Sequence, residues 1–213
     1  MNNPDHYEET IAYYNQHAEQ FYASSVDLDI IHLAGPLLPH LKPGDKILDA
    51  GCGSGRDSLY FLQHGFQVTA FDASIEMVRL ARKLTGLSVI HTTFLEFNVP
   101  ITFDAIWACA SLLHVPATQI ISTIDHLSKF LRAGGTFYLS FKYGEKEEIR
   151  HGRLFSDYTE VSLASMAGRL ADLTIFSHWI TTDIRPDRST QTWINALLKK
   201  KNLTSISSSG STS

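Results

Sequence analysis

Two acids and three glycines set the chemistry that this chain can do. Asp49 closes the apolar run "KIL" (46–48), and Gly51, Gly53 and Gly55 follow at alternate positions in "KILDAGCGSGRD". Glycine loses more conformational freedom on folding than any other residue, so three so close together mark a main chain that bends sharply or is approached closely. Asp72 ends the next apolar stretch, "QVTAFD" (67–72). A backbone without Cβ atoms lets a nucleoside-bearing ligand come into van der Waals contact, while a carboxylate at Asp72 accepts hydrogen bonds from ribose hydroxyls. Charge-assisted bonds of that kind contribute roughly 1.5–3 kcal/mol. The dinucleotide fingerprint is GxGxxG, and Arg56 stands where its third glycine would fall. The charge of Asp49 would repel a pyrophosphate but suits an ammonium group. The pattern therefore favours S-adenosylmethionine over a nicotinamide dinucleotide.

Other residues have chemistry of their own. His114, in "SLLHVP", has an unperturbed pKa near ~6.5 and reads either as a general base or as a packed, capping histidine. Tyr13, Tyr14 and Tyr22 lie on one predicted helix, as a lid over the ligand, a core stripe, or both. Arg150 and Arg153 sit in the polar stretch "YGEKEEIRHGR", and Arg185 and Arg188 in "TTDIRPDRSTQTW". These arginines are either solvated surface groups or binders of an anionic substrate, with Tyr14, Arg153, Arg185 and Arg188 as the candidate substrate contacts. Trp179 and Trp193 read as packing residues, Trp193 bordering the pocket. Cys52 and Cys109 are far from any metal-ligand spacing, so buried free thiols are expected and no metal site.

These groups need a scaffold that brings strand ends together. Strand patterns at 46–50, 67–72, 87–92, 103–110 and 136–142 alternate with helix patterns at 56–64, 74–84 and 117–132. Ser74 is the predicted N-cap of the second of these helices, and Gly65 stops the first. Such alternation predicts βαβ crossovers and a mainly parallel sheet. Helices are predicted at 7–23 and 28–40, a loop after residue 143, a helix near 159–170 and a long strand at 173–183.

The chain has 213 residues, enough for one well-cored domain, with a net charge of −4. No overall basic field recruits nucleic acid or an acidic membrane surface. The beginning, "MNNPDHYEET", has neither the basic nor the apolar region of a signal peptide, and no apolar run has the ~18 residues of a membrane span. A cytoplasmic monomer or homodimer with no membrane partner is the expectation.

"ILDAGCGSGRD", "VTAFDAS" and "FDAIWACASLLHVP" together resemble the class I S-adenosylmethionine-dependent methyltransferases, closest to the tellurite-resistance-like and small-molecule group. The resemblance implies an α/β, Rossmann-like sheet of seven mostly parallel strands, helices on both faces and an antiparallel last strand. It implies an N-terminal helical lid over 1–40, a methyltransferase core over 41–201 and a disordered tail over 202–213. Asp49 would lie close to the cofactor's ammonium, and Gly51, Cys52 and Gly53 under its methionine part. Asp72 would take the ribose, with Ala73, Thr93 and Phe94 bordering the adenine and Ala108, Cys109 and Ala110 beside the sulfonium. The motifs that methylate nucleobases are absent after the fourth strand, which favours a small-molecule acceptor. The rivals are a nicotinamide-dependent reductase, a non-catalytic S-adenosylmethionine sensor or partner subunit, and a methyltransferase acting on protein or RNA.

Overall fold

The computed structural model describes residues 5–183, 185, 188 and 190–202; the expected tail beyond Asn202 lies outside them. The chain runs α1 (Asp5–Ser25), α2 (Ile31–Ala34), β1 (Lys46–Ala50), α3 (Arg56–Gln63), β2 (Gln67–Asp72), α4 (Ile75–Thr85) and β3 (Ile90–His91). It continues through β4 (Phe103–Ala108), α5 (Ile120–Ser128), β5 (Leu131–Lys142), β6 (Glu147–Arg150), β7 (Arg153–Ser156), α6 (Glu160–Ala167), β8 (Leu173–Thr182) and β9 (Thr192–Lys200).

Seven of these strands form one sheet in the order β3-β2-β1-β4-β5-β9-β8. The pairs from β3 to β5 are parallel, and β9 runs antiparallel to both β5 and β8. The expected mostly parallel sheet with an antiparallel last strand is what forms. Strand order reverses between β1 and β4, so a crevice opens beyond the carboxyl ends of these two strands, where open α/β sheets bind ligands. The central strands are buried on both faces, which is why β1 and β4 read as mostly apolar runs, broken by Asp49 and Asp104. On one face Leu48, Ile106, Phe137 and Leu139 pack with α5 and α6. On the other, Trp107 stacks on Tyr138 at 3.8 Å between ring centres, beside Phe61 of α3 and Ile30.

Several boundaries differ from those predicted. The helix at 28–40 shrinks to α2 and a 3-10 turn at Leu38–His40, because Gly35, Pro36 and Pro39 interrupt it. The strand at 87–92 pairs only over Ile90–His91, and the helix at 117–132 only over Ile120–Ser128. The loop after residue 143 contains a hairpin of β6 and β7. Its turn is His151-Gly152, both with positive φ (52° and 75°), the handedness that a tight two-residue hairpin requires. Helix α1 departs from helical angles at His17 and docks on α4, where Ala18, Tyr14 and Phe21 meet Met77 and Leu80.

Candidate active site

The turn from β1 to α3 is held by the end of β2. The Gly51 and Cys52 N–H groups donate to the Phe71 carbonyl at 3.0 and 2.9 Å. Asp72 accepts from the Gly53 N–H with one oxygen and from the Ser74 N–H with the other, both at 2.8 Å. One carboxylate thus fixes both the glycine turn and the start of α4, whose N-cap is Ser74 as predicted. The three glycines have different reasons to be there. A Cβ on Gly51 would sit 2.6 Å from the Ser111 Cβ, and one on Gly55 3.0 Å from the backbone of Ala81. A Cβ on Gly53, where φ is +54°, would meet only Phe21 at 3.8 Å. Gly51 and Gly55 therefore answer to packing, and Gly53 faces open space. The close helix approach that the dinucleotide fingerprint obtains from its third glycine comes here from Gly55, one residue before Arg56.

Asp49 is 2% exposed and accepts a hydrogen bond from the Ser58 hydroxyl at 2.6 Å. The neighbouring Arg56 is taken by Asp57 (2.6 Å), which also accepts from the Trp107 indole at 2.7 Å. Asp49 consequently has no ion-pair partner among the described residues. Burial, reinforced by the negative charge of Asp57, holds its carboxyl well above the usual range. A cation placed beside Asp49 would relieve that penalty. Burial also raises the carboxyl of Asp72, against the pull of the Ser74, Gly53 and Ala73 backbone N–H groups.

Asp49, Gly51, Cys52, Gly53, Asp72, Ala73 and Phe94 line a cavity that continues without a break past Tyr14, His114, Arg153, Arg185 and Arg188. In this second half the His114 ring is 7% exposed. Its Nδ1 lies 2.6 Å from the Leu154 carbonyl and its Nε2 lies 2.9 Å from the Tyr14 hydroxyl. A carbonyl only accepts, so Nδ1 carries the proton, and Nε2 of the neutral ring accepts from Tyr14. Burial lowers the His114 pKa to about 4, the nearby charge of Arg153 acting in the same direction. Burial also raises the pKa of Tyr14.

The four arginines of the sequence reading separate. Arg150 is bound to Glu148 and Asp157 and is absent from the cavity wall. Arg185 lines it but is held in two contacts by Asp183, at 2.8 and 2.5 Å. Arg188 also lines it. Arg153 lies 4.4 Å above the Tyr13 ring and 5.1 Å from that of Phe155. Trp193 borders the cavity as expected.

Two predicted contacts fall outside the wall. Thr93 turns its hydroxyl to Glu96 at 2.8 Å, and Thr92 lines the cavity instead. Ala108 is fully buried in the core, and the residues after it, Cys109, Ala110 and Ser111, reach the cavity. Tyr7, Asp57 and Lys142 also line it without having been singled out. Tyr7 belongs to the aromatic stripe of α1, and Asp57 follows the glycine turn by two residues. Lys142 ends β5, bonded to Gln191 and 4.5 Å over Trp193. A basic residue at a strand's carboxyl end was the available signal.

Comparison with known proteins agrees with this geometry. Residues 47–135 match the family model described as a methyltransferase domain. The chain is 34% identical over 105 residues to a ubiquinone biosynthesis O-methyltransferase of Xanthomonas campestris pv. campestris, covering 46% of this chain and 43% of that one. It thus spans less than half the length of that curated relative. Among solved structures it is similar to a Burkholderia thailandensis 1,6-didemethyltoxoflavin-N1-methyltransferase with bound 1,6-didemethyltoxoflavin and S-adenosylhomocysteine (TM-score 0.77, 23% identity, 95% of this chain and 92% of that one). It is also similar to a TehB-like SAM-dependent methyltransferase from Corynebacterium glutamicum (TM-score 0.66, 22% identity, 93% of this chain and 100% of that one). Residues 47–135 thus match a methyltransferase domain, and the seven-stranded sheet has the fold of those solved structures.

Proposed function

We propose that this protein transfers a methyl group from S-adenosylmethionine to a small anionic molecule, releasing S-adenosylhomocysteine. The observation that carries the reading is a single cavity whose first half is bare backbone between Asp49 and Asp72 and whose second half is edged by arginines and aromatic rings. The first half fits the cofactor on chemical grounds. Asp49 lacks a cationic partner, and the space that a Cβ would fill at Gly53 is open. Asp49 would face the ammonium, Gly51, Cys52 and Gly53 the methionine chain, Asp72 the ribose, and Ala73 and Phe94 the adenine.

When bound, the cofactor supplies a methyl group on a sulfonium, with a neutral thioether as leaving group. The protein's part is to hold the acceptor in line and exclude water, and such positioning supplies ~7–11 kcal/mol in favourable cases. Helix α1 acts as the lid, its Tyr7, Tyr14 and Phe21 walling the cavity. His114 holds Tyr14 through Nε2 rather than meeting the acceptor itself. A small acceptor is supported by the net charge of −4 and by the names of the relatives, which specify small molecules.

The test is calorimetry with S-adenosylmethionine and S-adenosylhomocysteine, followed by methyl-donor consumption against pooled metabolites, nucleic acids and proteins. Cofactor binding with turnover confined to the metabolite pool is expected. Failure of both cofactor forms to bind would overturn the reading, and turnover only with a macromolecular pool would overturn the small acceptor.

A further inference from the structure

Arg153 differs from five other arginines of the chain in what it lacks. Arg56, Arg79, Arg132, Arg150 and Arg185 each hold a carboxylate. Arg153 pairs with none among the described residues. A guanidinium offers five N–H donors in a fixed fork, and here the one hydrogen bond is a long one, from Nη1 to the Tyr14 oxygen at 3.4 Å. Its Nε is buried with no partner. A buried donor left unmade costs about 1–3 kcal/mol, so the fold maintains an unsatisfied cation at the cavity wall.

The surroundings fix that cation without neutralising it. Tyr13 lies under the guanidinium and Phe155 beside it. Tyr14 sends its proton to His114, so its oxygen only accepts from Arg153. Leu154, next in sequence, donates its N–H to the Thr10 hydroxyl of α1 at 3.1 Å. The hairpin and the N-terminal helix thus clamp the arginine between them.

We propose that Arg153 is the receptor for a carboxylate carried by the methyl acceptor, and that this acceptor is a small, flat carboxylic acid. The proposal rests on the methyl-transfer reading above, which makes the bound anion the acceptor. One guanidinium fork matches one planar carboxylate in charge and geometry. A tetrahedral dianion would call on further cations of the wall: Arg185 is spent on Asp183 and Lys142 is bonded to Gln191, and the phosphate arm of the experiment tests whether these and Arg188 serve one. A flat shape suits the lining: the aromatic residues Tyr14, Phe155 and Trp193 belong to the same cavity wall as Arg153.

The experiment titrates benzoate, benzamide and inorganic phosphate into the full chain by calorimetry, with and without saturating S-adenosylhomocysteine. Saturable benzoate binding is expected, weakened about tenfold or more by Arg153→Gln and changed less than about twofold by Arg150→Gln on the same hairpin. Thermal melts establish that each variant is folded. Should Arg153→Gln fail to fold, Arg153→Lys takes its place: it keeps the charge, loses the fork, and is expected to weaken benzoate severalfold. Benzamide binding as tightly as benzoate, phosphate binding more tightly, no benzoate binding, or undiminished binding by a folded Arg153 variant would each overturn the proposal. If benzoate binds through Arg153 while S-adenosylhomocysteine does not bind, the methyl-transfer reading falls and the receptor stands. The reverse result removes the receptor alone.

Discussion

The two halves of the cavity are built in opposite ways. The half around Asp49, Gly53 and Asp72 comes from two adjacent strands and one turn, and it leaves an anion without a cation: Asp72 is taken up by backbone donors, whereas Asp49 holds only one hydroxyl among the described residues. The half around Tyr14, His114 and Arg153 brings together α1, the segment after β4 and the β6–β7 hairpin, and it leaves a cation without an anion. A cofactor common to many reactions calls for a local, rigid cradle. An acceptor particular to one protein is met by parts that vary independently of the sheet.

The largest effect should come from filling Gly53, the one glycine of the β1–α3 turn that faces open space. Gly53→Val places a branched side chain where φ is +54° and where the cavity is otherwise empty. S-adenosylhomocysteine affinity is expected to fall by a hundredfold or more, about 2.7 kcal/mol. Calorimetry on the folded variant reads this directly. Retained affinity would break the comparison at its firmer side, because the bare backbone would then not face the ligand.

A second test addresses the acceptor half through pH. The His114 ring stays neutral in the fold down to about pH 4 and titrates near 6.5 when unfolded. Between these values the unfolded chain binds the extra proton, so stability is complete above pH 6.5 and is lost as pH falls toward 4. The loss is about 2 kcal/mol at about pH 5. His114→Gln removes this component, and its melting temperature should decline less steeply with acid over that window. Parallel acid limbs for the two proteins would show that the ring is not held neutral between Tyr14 and Leu154.

The same contrast explains what the sequence made visible. Strands β1 and β2 have the predicted boundaries, since each carries a short apolar core ended by a turn or an acid, and Ser74 declares the start of α4 by its type. The cofactor half is legible because Asp49 to Asp72 is one βαβ step. The pairing of Tyr14 with His114 spans 100 residues, and its contact with Arg153 spans 139. No periodicity records such distances. The hairpin was hidden for another reason: its outward strand, "EEIR", carries charges on both sides of Ile149, so it reads as a polar loop. The tight turn His151-Gly152 was the available signal. Thr93 lies outside the cavity wall while Thr92 lines it, and of Ala108, Cys109 and Ala110 only the last two reach it, because within a strand end or a turn a single step reverses the direction of a side chain.

An intermediate effect is expected at Asp72. Replacing it by Ala removes the acceptor for both the Gly53 and Ser74 N–H groups along with the proposed ribose contact. Cofactor affinity should fall tenfold or more, about 1.4 kcal/mol, with a lower melting temperature because two backbone donors lose their partner. Asp72→Asn keeps an acceptor oxygen and should recover part of the stability while affinity stays low. Equal recovery of both would assign Asp72 to the turn alone.

The smallest effect concerns how the lid is attached. Arg79 of α4 reaches Glu19 of α1 at 2.6 Å, but both side chains are at least half exposed, where solvent and salt screen such pairs. Beside this pair, Ala18, Tyr14 and Phe21 pack against Met77 and Leu80, and the Asn15 side-chain oxygen accepts from the Ser74 hydroxyl at 2.7 Å. Packing and this partly buried bond therefore set the position of α1. Glu19→Gln should leave cofactor affinity within about twofold and the melting temperature within about 2 °C. A larger change that disappears at high salt would mean that charge, rather than apolar contact, seats α1. The acceptor half would then depend on a surface pair outside the cavity, and its clamp on Arg153 would loosen with ionic strength.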